Sequence, residues 1–196
     1  FINEHVTDIS PVRALTGLKR IHCYVSDLNH SSLLADLSPL EGISLTTLSI
    51  WKSQVSDLSP LKGMPLQYFG CAWSRISDVS PLKDSPLTEV SLRGTAVIDL
   101  SPLQSCKELT SLGLGNTKVT AATIAALQKA LPNCKIEWDG SAKATTPVPA
   151  TASKPWESPA FQQWMKDVQA MPAEGRVKAV VKQLQTLNTG YDGKHT

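Results

Sequence analysis

One seven-residue phrase, Val55-Ser56-Asp57-Leu58-Ser59-Pro60-Leu61, is written again and again along this chain. It recurs as Leu34-Ala35-Asp36-Leu37-Ser38-Pro39-Leu40, as Ile76-Ser77-Asp78-Val79-Ser80-Pro81-Leu82 and as Val97-Ile98-Asp99-Leu100-Ser101-Pro102-Leu103. A fifth copy, Val6-Thr7-Asp8-Ile9-Ser10-Pro11-Val12, stands near the start. From Asp36 through Asp57 and Asp78 to Asp99 the steps are 21, 21 and 21 residues. A unit that short cannot bury its apolar face alone, so a fixed period in the twenties demands that successive units stack on one another. The chain therefore folds as a solenoid.

Each copy is joined to a second phrase of the form LxxLxL. Its instances are Leu18/Ile21/Cys23, Leu45/Leu48/Ile50, Leu66/Phe69/Cys71, Leu87/Val90/Leu92 and Leu109/Leu112/Leu114. The last two members of each set alternate at i and i+2, the signature of a short strand with one buried face. Three residues after the third member stands Ser26, Ser53, Ser74, Thr95 or Thr117. A hydroxyl at that point can serve the backbone by a local side-chain bond as the strand turns. The pattern as a whole is similar to the leucine-rich repeat, with parallel strands on the concave side.

Within Asp-x-Ser-Pro-Leu, Ser is a favoured helix N-cap and Pro is favoured at the first helical position. Each Ser-Pro-Leu is thus expected to start a short 3₁₀ or α turn on the convex side, with Ser as its cap. This phrase resembles the convex side of bacterial internalin-type repeats. The opening D-I-S-P-V-R-A-L (Asp8 to Leu15) looks closer still to leucine-rich repeat proteins of planctomycetes. Such arrays often accompany a protein kinase or another domain on a longer chain. This chain itself carries no Gly-rich phosphate loop and no catalytic-loop or metal-binding Asp motif.

After the first strand unit the period slips. Leu18 to Leu45 is 27 residues, so about six extra residues lie between Tyr24 and Leu34. The turn-rich run Asp27 to Ser32 is expected to form a loop near the rim, either a tolerated surface insertion or part of a binding face. The residues beside the buried strand positions point to the concave face. They are Arg20, His22 and Tyr24, then Thr47, Ser49 and Trp51, then Tyr68, Gly70 and Ala72 with Trp73 just beyond. Glu89, Ser91 and Arg93 follow, and the last strand, with Ser111, Gly113 and Gly115, is nearly blank. Exposed aromatics with an Arg are the material of binding hot spots. The candidate partner-binding set is therefore Arg20, His22, Tyr24, Trp51, Tyr68, Trp73, Glu89 and Arg93. The alternative is that Trp51 and Trp73 lie over neighbouring strands and shield the sheet.

The array, residues 1–138, ends in a capping unit that hides the open end of the core. Thr120 caps a helix running from Ala121 to Leu131 with Ile124, Leu127 and Leu131 at helical spacing, and Cys134 to Trp138 reads as a last strand. Residues 139–157 are an Ala, Thr, Pro, Lys and Ser linker. Residues 158–196 form a helical hairpin. Ser158-Pro159 starts the first helix, which carries Phe161, Trp164, Met165 and Val168. A second starts near Pro172, with Val177, Val180, Val181, Leu184 and Leu187 on one face and Gly190 at its C-terminal cap. Two helices this short must dock on something. Similar hairpins occur in planctomycete proteins just ahead of an array opening D-I-S-P-V, which implies tandem modules in a longer parent chain. Phe1 to Val6 looks like the tail of a strand, as in a segment of something larger.

With 196 residues, 41% of them hydrophobic, the chain can build a continuous core. A net charge of +2 with no basic stripe argues against a nucleic-acid partner. No apolar run approaches the roughly 18 residues of a membrane span, and no signal peptide is visible. The four His make no HExxH or close ligand pair and no Cys stands in a CxxC, so neither metal nor cofactor is implied. Cys23 and Cys71 lie two units apart, about 10 Å, too far for a disulfide, and read as small core residues. Cys106 and Cys134 both lie near the cap. Unpaired thiols point to a reducing, cytoplasmic setting. No catalytic group emerges. The expectation is a non-enzymatic module that holds a protein or peptide on its concave face. The alternatives are a structural spacer in a multi-module chain and a regulatory arm of an enzyme elsewhere on that chain.

Overall fold

The computed structural model describes residues 5–23, 25, 31–140 and 158–188. Six parallel strands lie side by side in chain order: β1 (Arg20–Cys23), β2 (Thr47–Ile50), β3 (Tyr68–Gly70), β4 (Glu89–Ser91), β5 (Ser111–Gly113) and β6 (Lys135–Glu137). A 3₁₀ turn, Ser10–Ala14, precedes β1. Turns Ser38–Leu40, Ser59–Leu61, Ser80–Leu82 and Ser101–Ser105 return the chain between successive strands as far as β5. Helix α1 (Ala121–Ala130) replaces the turn ahead of β6, and the hairpin α2 (Pro159–Gln169) and α3 (Ala173–Leu187) follows. This is a leucine-rich repeat solenoid.

The register follows from the 21-residue period. Ile21, Leu48, Phe69, Val90, Leu112 and Ile136 form one cross-strand row on the core side. Behind them Leu45, Leu66 and Leu87 and the turn residues Leu40, Leu61, Leu82 and Leu103 are fully buried. A buried side chain of this size contributes about 1.5–3 kcal/mol relative to leaving it in water, so the continuous row outweighs any local preference. Cys23 and Cys71 sit in the same core, and burial pushes both thiols up to about 12. All four cysteines are free and buried.

The local chemistry of the convex turns differs from expectation. Ser is not the cap. It is the first residue of each turn, and the preceding Asp bonds to it. The Ser59 N–H donates to Asp57 Oδ1 at 2.8 Å and the Ser59 hydroxyl to Asp57 Oδ2 at 2.7 Å. Asp78 and Ser80, and Asp99 and Ser101, repeat the pair. An Asx turn of this kind competes successfully with the capping geometry because the carboxylate reaches both Ser donors at once. These bonds from Ser101, the backbone one first, hold the Asp99 carboxyl below the usual carboxylate range. The hydroxyls at the strand ends act as expected at three of the described positions. Ser74, Thr95 and Thr117 donate to the carbonyls of Cys71, Leu92 and Leu114 at 2.6–2.7 Å. Ser53, in the same place, is buried with no partner for its hydroxyl among the described residues, and Ser26 lies outside them.

Side-chain hydrogen bonds anchor the backbone near both described ends of the array. At the C-terminal end Thr120 caps α1, accepting from the Thr123 N–H at 3.3 Å. The Asn116 N–H, beyond the end of β5, donates to the Asp139 carboxylate at 3.0 Å. At the other end the hairpin docks on the first turn. Val168, Val180 and Leu184 join the core of the array. Asn188 then bonds the chain start: its Oδ1 accepts from the Thr7 and Asp8 N–H groups at 2.6 and 2.8 Å, and its Nδ2 donates to the Asp8 carbonyl at 2.9 Å. Ser158 caps α2, as expected, accepting from the Phe161 N–H at 3.3 Å. The expected apolar face of α3 is only partly covered. Val180 and Leu184 are buried, whereas Val177 and Leu187 are about 40% exposed. Gly190 and most of the insertion lie outside the described residues; at its end Ser32 is buried and its N–H donates to the Lys52 carbonyl at 2.9 Å.

Candidate functional site: the concave strand face

The strand register sorts the outward residues into rows. One row runs Arg20, Thr47, Tyr68, Glu89, Ser111, Lys135 and the next His22, Ser49, Gly70, Ser91, Gly113, Glu137. Arg20, His22, Trp51, Trp73, Glu89 and Arg93 are exposed and Tyr68 is half-buried; Tyr24 lies outside the described residues. Seven of the eight expected residues thus share one surface, though not as one cluster.

Glycines decide how they group. A Cβ on Gly70 would stand 2.9 Å from Trp51 Nε1 and 3.0 Å from the Tyr68 hydroxyl. The two rings therefore converge over Gly70, one from the neighbouring strand and one from its own. Burial, and then the Glu89 carboxylate, raise the pKa of the Tyr68 hydroxyl. A Cβ on Gly94 would stand 2.3 Å from the Trp73 ring, so that indole lies flat on Gly94. Similarly Arg93 crosses Gly113, whose Cβ would stand 3.0 Å from its Nε, and its guanidinium reaches Glu137 on β6. The shielding alternative is thus correct in its geometry. Yet Trp51 and Trp73 still leave 45% and 53% of their surface open.

The strands that look blank are consequently covered from their neighbour. Sequence reasoning missed Glu137 and Asp139, which complete this end. Glu137 also accepts from Lys135 Nζ at 3.1 Å, and that bond, with the charges of Lys135 and Arg93, holds its carboxyl below the usual range. The signal was present in the register. Gly113 pairs with Glu137 across a step of 24 residues, lengthened by the capping helix, so an unbroken count of 21 steps past it. Between Trp73 and the last strand lies an open groove of about 460 Å³ lined by Arg93, Gly115, Asn116, Ile136, Glu137, Trp138 and Asp139. Among the described residues no group of three His, Cys, Asp or Glu is placed to hold a metal ion. No helix among them is long and apolar enough to cross a membrane.

Fold and face together define a leucine-rich repeat solenoid with an aromatic concave surface. No family model matches the chain, and no curated protein does. Solved structures do. An internalin of Listeria monocytogenes is similar at 25% identity and a TM-score of 0.49, over 71% of this chain and 46% of its own. Internalin C2 of the same organism is similar at 24% identity and a TM-score of 0.51, over 69% of this chain and 67% of its own. A leucine-rich repeat protein of Leptospira interrogans follows at 18% identity and a TM-score of 0.46, over 64% of this chain and 38% of its own. The internalin C2 likeness bears out the internalin-like solenoid. The chain spans under half the length of the first of these proteins.

Proposed function

We propose that this chain is a non-catalytic interaction module that holds a protein or peptide partner on its concave face. The observation that carries the reading is the pair of half-exposed indoles, Trp51 and Trp73, set on glycine floors and flanked by Tyr68, Glu89 and Arg93. Exposed aromatic surface is costly in water, and rings already pinned against the backbone lose little entropy when a partner covers them. Aromatic and Arg anchors of this kind carry most of the energy at interfaces. The four inward thiols favour a reducing setting for the module.

The test is capture from the source lysate by the intact chain beside a Trp51→Ala, Trp73→Ala double variant, with circular dichroism confirming that both are folded. The expected result is a partner held by the first and lost by the second. Truncating two hot-spot residues at about 2 kcal/mol each lowers affinity by roughly 1,000-fold. Equal capture by both overturns the concave site and moves binding to the hairpin or the rim.

A further inference from the structure

Two or three residues beyond β2, β3, β4 and β5 the backbone takes a left-handed conformation: Lys52, Trp73, Gly94 and Asn116 have φ of 53°, 60°, 67° and 57°. Gly and Asn suit that conformation and Trp does not, so Trp73 carries local strain as well as an exposed ring. The turn itself does not require Trp, for the neighbouring repeats make it with Lys52, Gly94 and Asn116. Strain and exposure fall on one side chain, and it forms a wall of the groove. Backbone strain of this kind points from geometry to function.

The rest of the lining defines what the groove accepts. The charged lining residues are Arg93, Glu137 and Asp139; Lys135, outside the lining, also bonds Glu137, so with it two cations stand against two carboxylates and no net charge draws an ion in. The groove does offer a dense set of held donors and acceptors: the guanidinium of Arg93, the Glu137 carboxylate and the Asp139 carboxylate, itself fixed by the Asn116 N–H. Among the lining residues the Trp138 indole N–H is also shielded, with no acceptor among the described residues. A flat apolar face ringed by paired donors and acceptors matches a molecule with an apolar C–H face and hydroxyls around its edge.

We infer that the groove between Trp73 and Asp139 is a binding site for an uncharged oligosaccharide, with a pyranose ring stacked on the Trp73 indole and its hydroxyls bonded to Arg93, Glu137 and Asp139. This goes beyond the protein-binding reading and shares Trp73 and Arg93 with it. Trp51 and Tyr68, over Gly70, take no part. The test titrates the full chain with maltoheptaose, cellohexaose, chitohexaose, xylohexaose and mannohexaose, with hexa-arginine as the charged control. The readout is the indole N–H resonances of Trp73 and Trp138. At least one sugar is expected to shift them saturably. Trp73→Asn, which keeps a residue suited to the turn, is expected to weaken that sugar at least tenfold, and Trp51→Ala is expected to leave it unchanged. No shift with any of the five sugars overturns the inference. So does saturation by hexa-arginine instead, or binding that survives Trp73→Asn. Sugar binding retained by Trp51→Ala in a chain that captures no protein would remove the earlier reading and leave this one standing.

Discussion

Cys23 and Cys71 show what burial does to a single residue. Each is fully enclosed, and the Cys71 thiol lies 3.7 Å from the Ser91 carbonyl, to which it donates. Burial raises both from 9.0 to about 12, because the thiolate would have to form without water. Below pH 9 the thiols are protonated in both folded and unfolded chains, and their full contribution is present. As pH rises from about 9 toward 12 the unfolded chain loses these protons first, so folding stability falls across that window. Two such groups give a slope of about 2.7 kcal/mol per pH unit at most. Urea unfolding at pH 8 and pH 11 is expected to show that loss in the native chain and a smaller one in the Cys23→Ala, Cys71→Ala variant. Parallel losses would refute it.

At the scale of elements, the turns and the hairpin rest on different causes. The Asp-x-Ser turns are local, and each is stabilised by its own carboxylate whatever the neighbouring unit does. The hairpin is held from a distance. Asn188 is almost completely buried and supplies hydrogen bonds to the backbone of Thr7 and Asp8. Replacing it with Ala leaves those groups without partners, at a cost of about 2–3 kcal/mol. Hydrogen exchange is expected to show faster exchange at residues 6–14 and 173–188 together in Asn188→Ala, with β3 to β5 unaffected. Loss confined to the end of α3 would show that the contact does not couple the two.

For the whole molecule, the docked hairpin makes the C-terminal helices the cover for the N-terminal end. The stability of a stacked array is close to a sum of unit and neighbour contributions, and an uncovered end unit frays first. A chain ended after Gly140 lacks the helices packed on the first turn, beside Val6, Ile9 and Val12, which are buried here. Its first unit and β1 are expected to lose exchange protection while Leu66 to Leu114 keep it. Uniform protection along that shorter chain would mean that the hairpin is not a cap.

The period of 21, the alternating strand residues and the Asp-x-Ser-Pro turns are all local patterns, and they determine the solenoid and the seven described residues of the eight expected on the concave face without reference to anything distant. Thr120 and Ser158 are legible for the same reason: a cap bonds three residues away. The rest depends on contacts between units far apart in the chain. The sequence cannot show that Gly70 and Gly94 are floors for rings from elsewhere, that Glu137 and Asp139 meet Arg93 and Asn116 across 44 and 23 residues, or that Asn188 closes on Asp8 across 180. Periodicity records which face of a unit is apolar; only the packing of units decides which side chain of one lies over the bare backbone of the next.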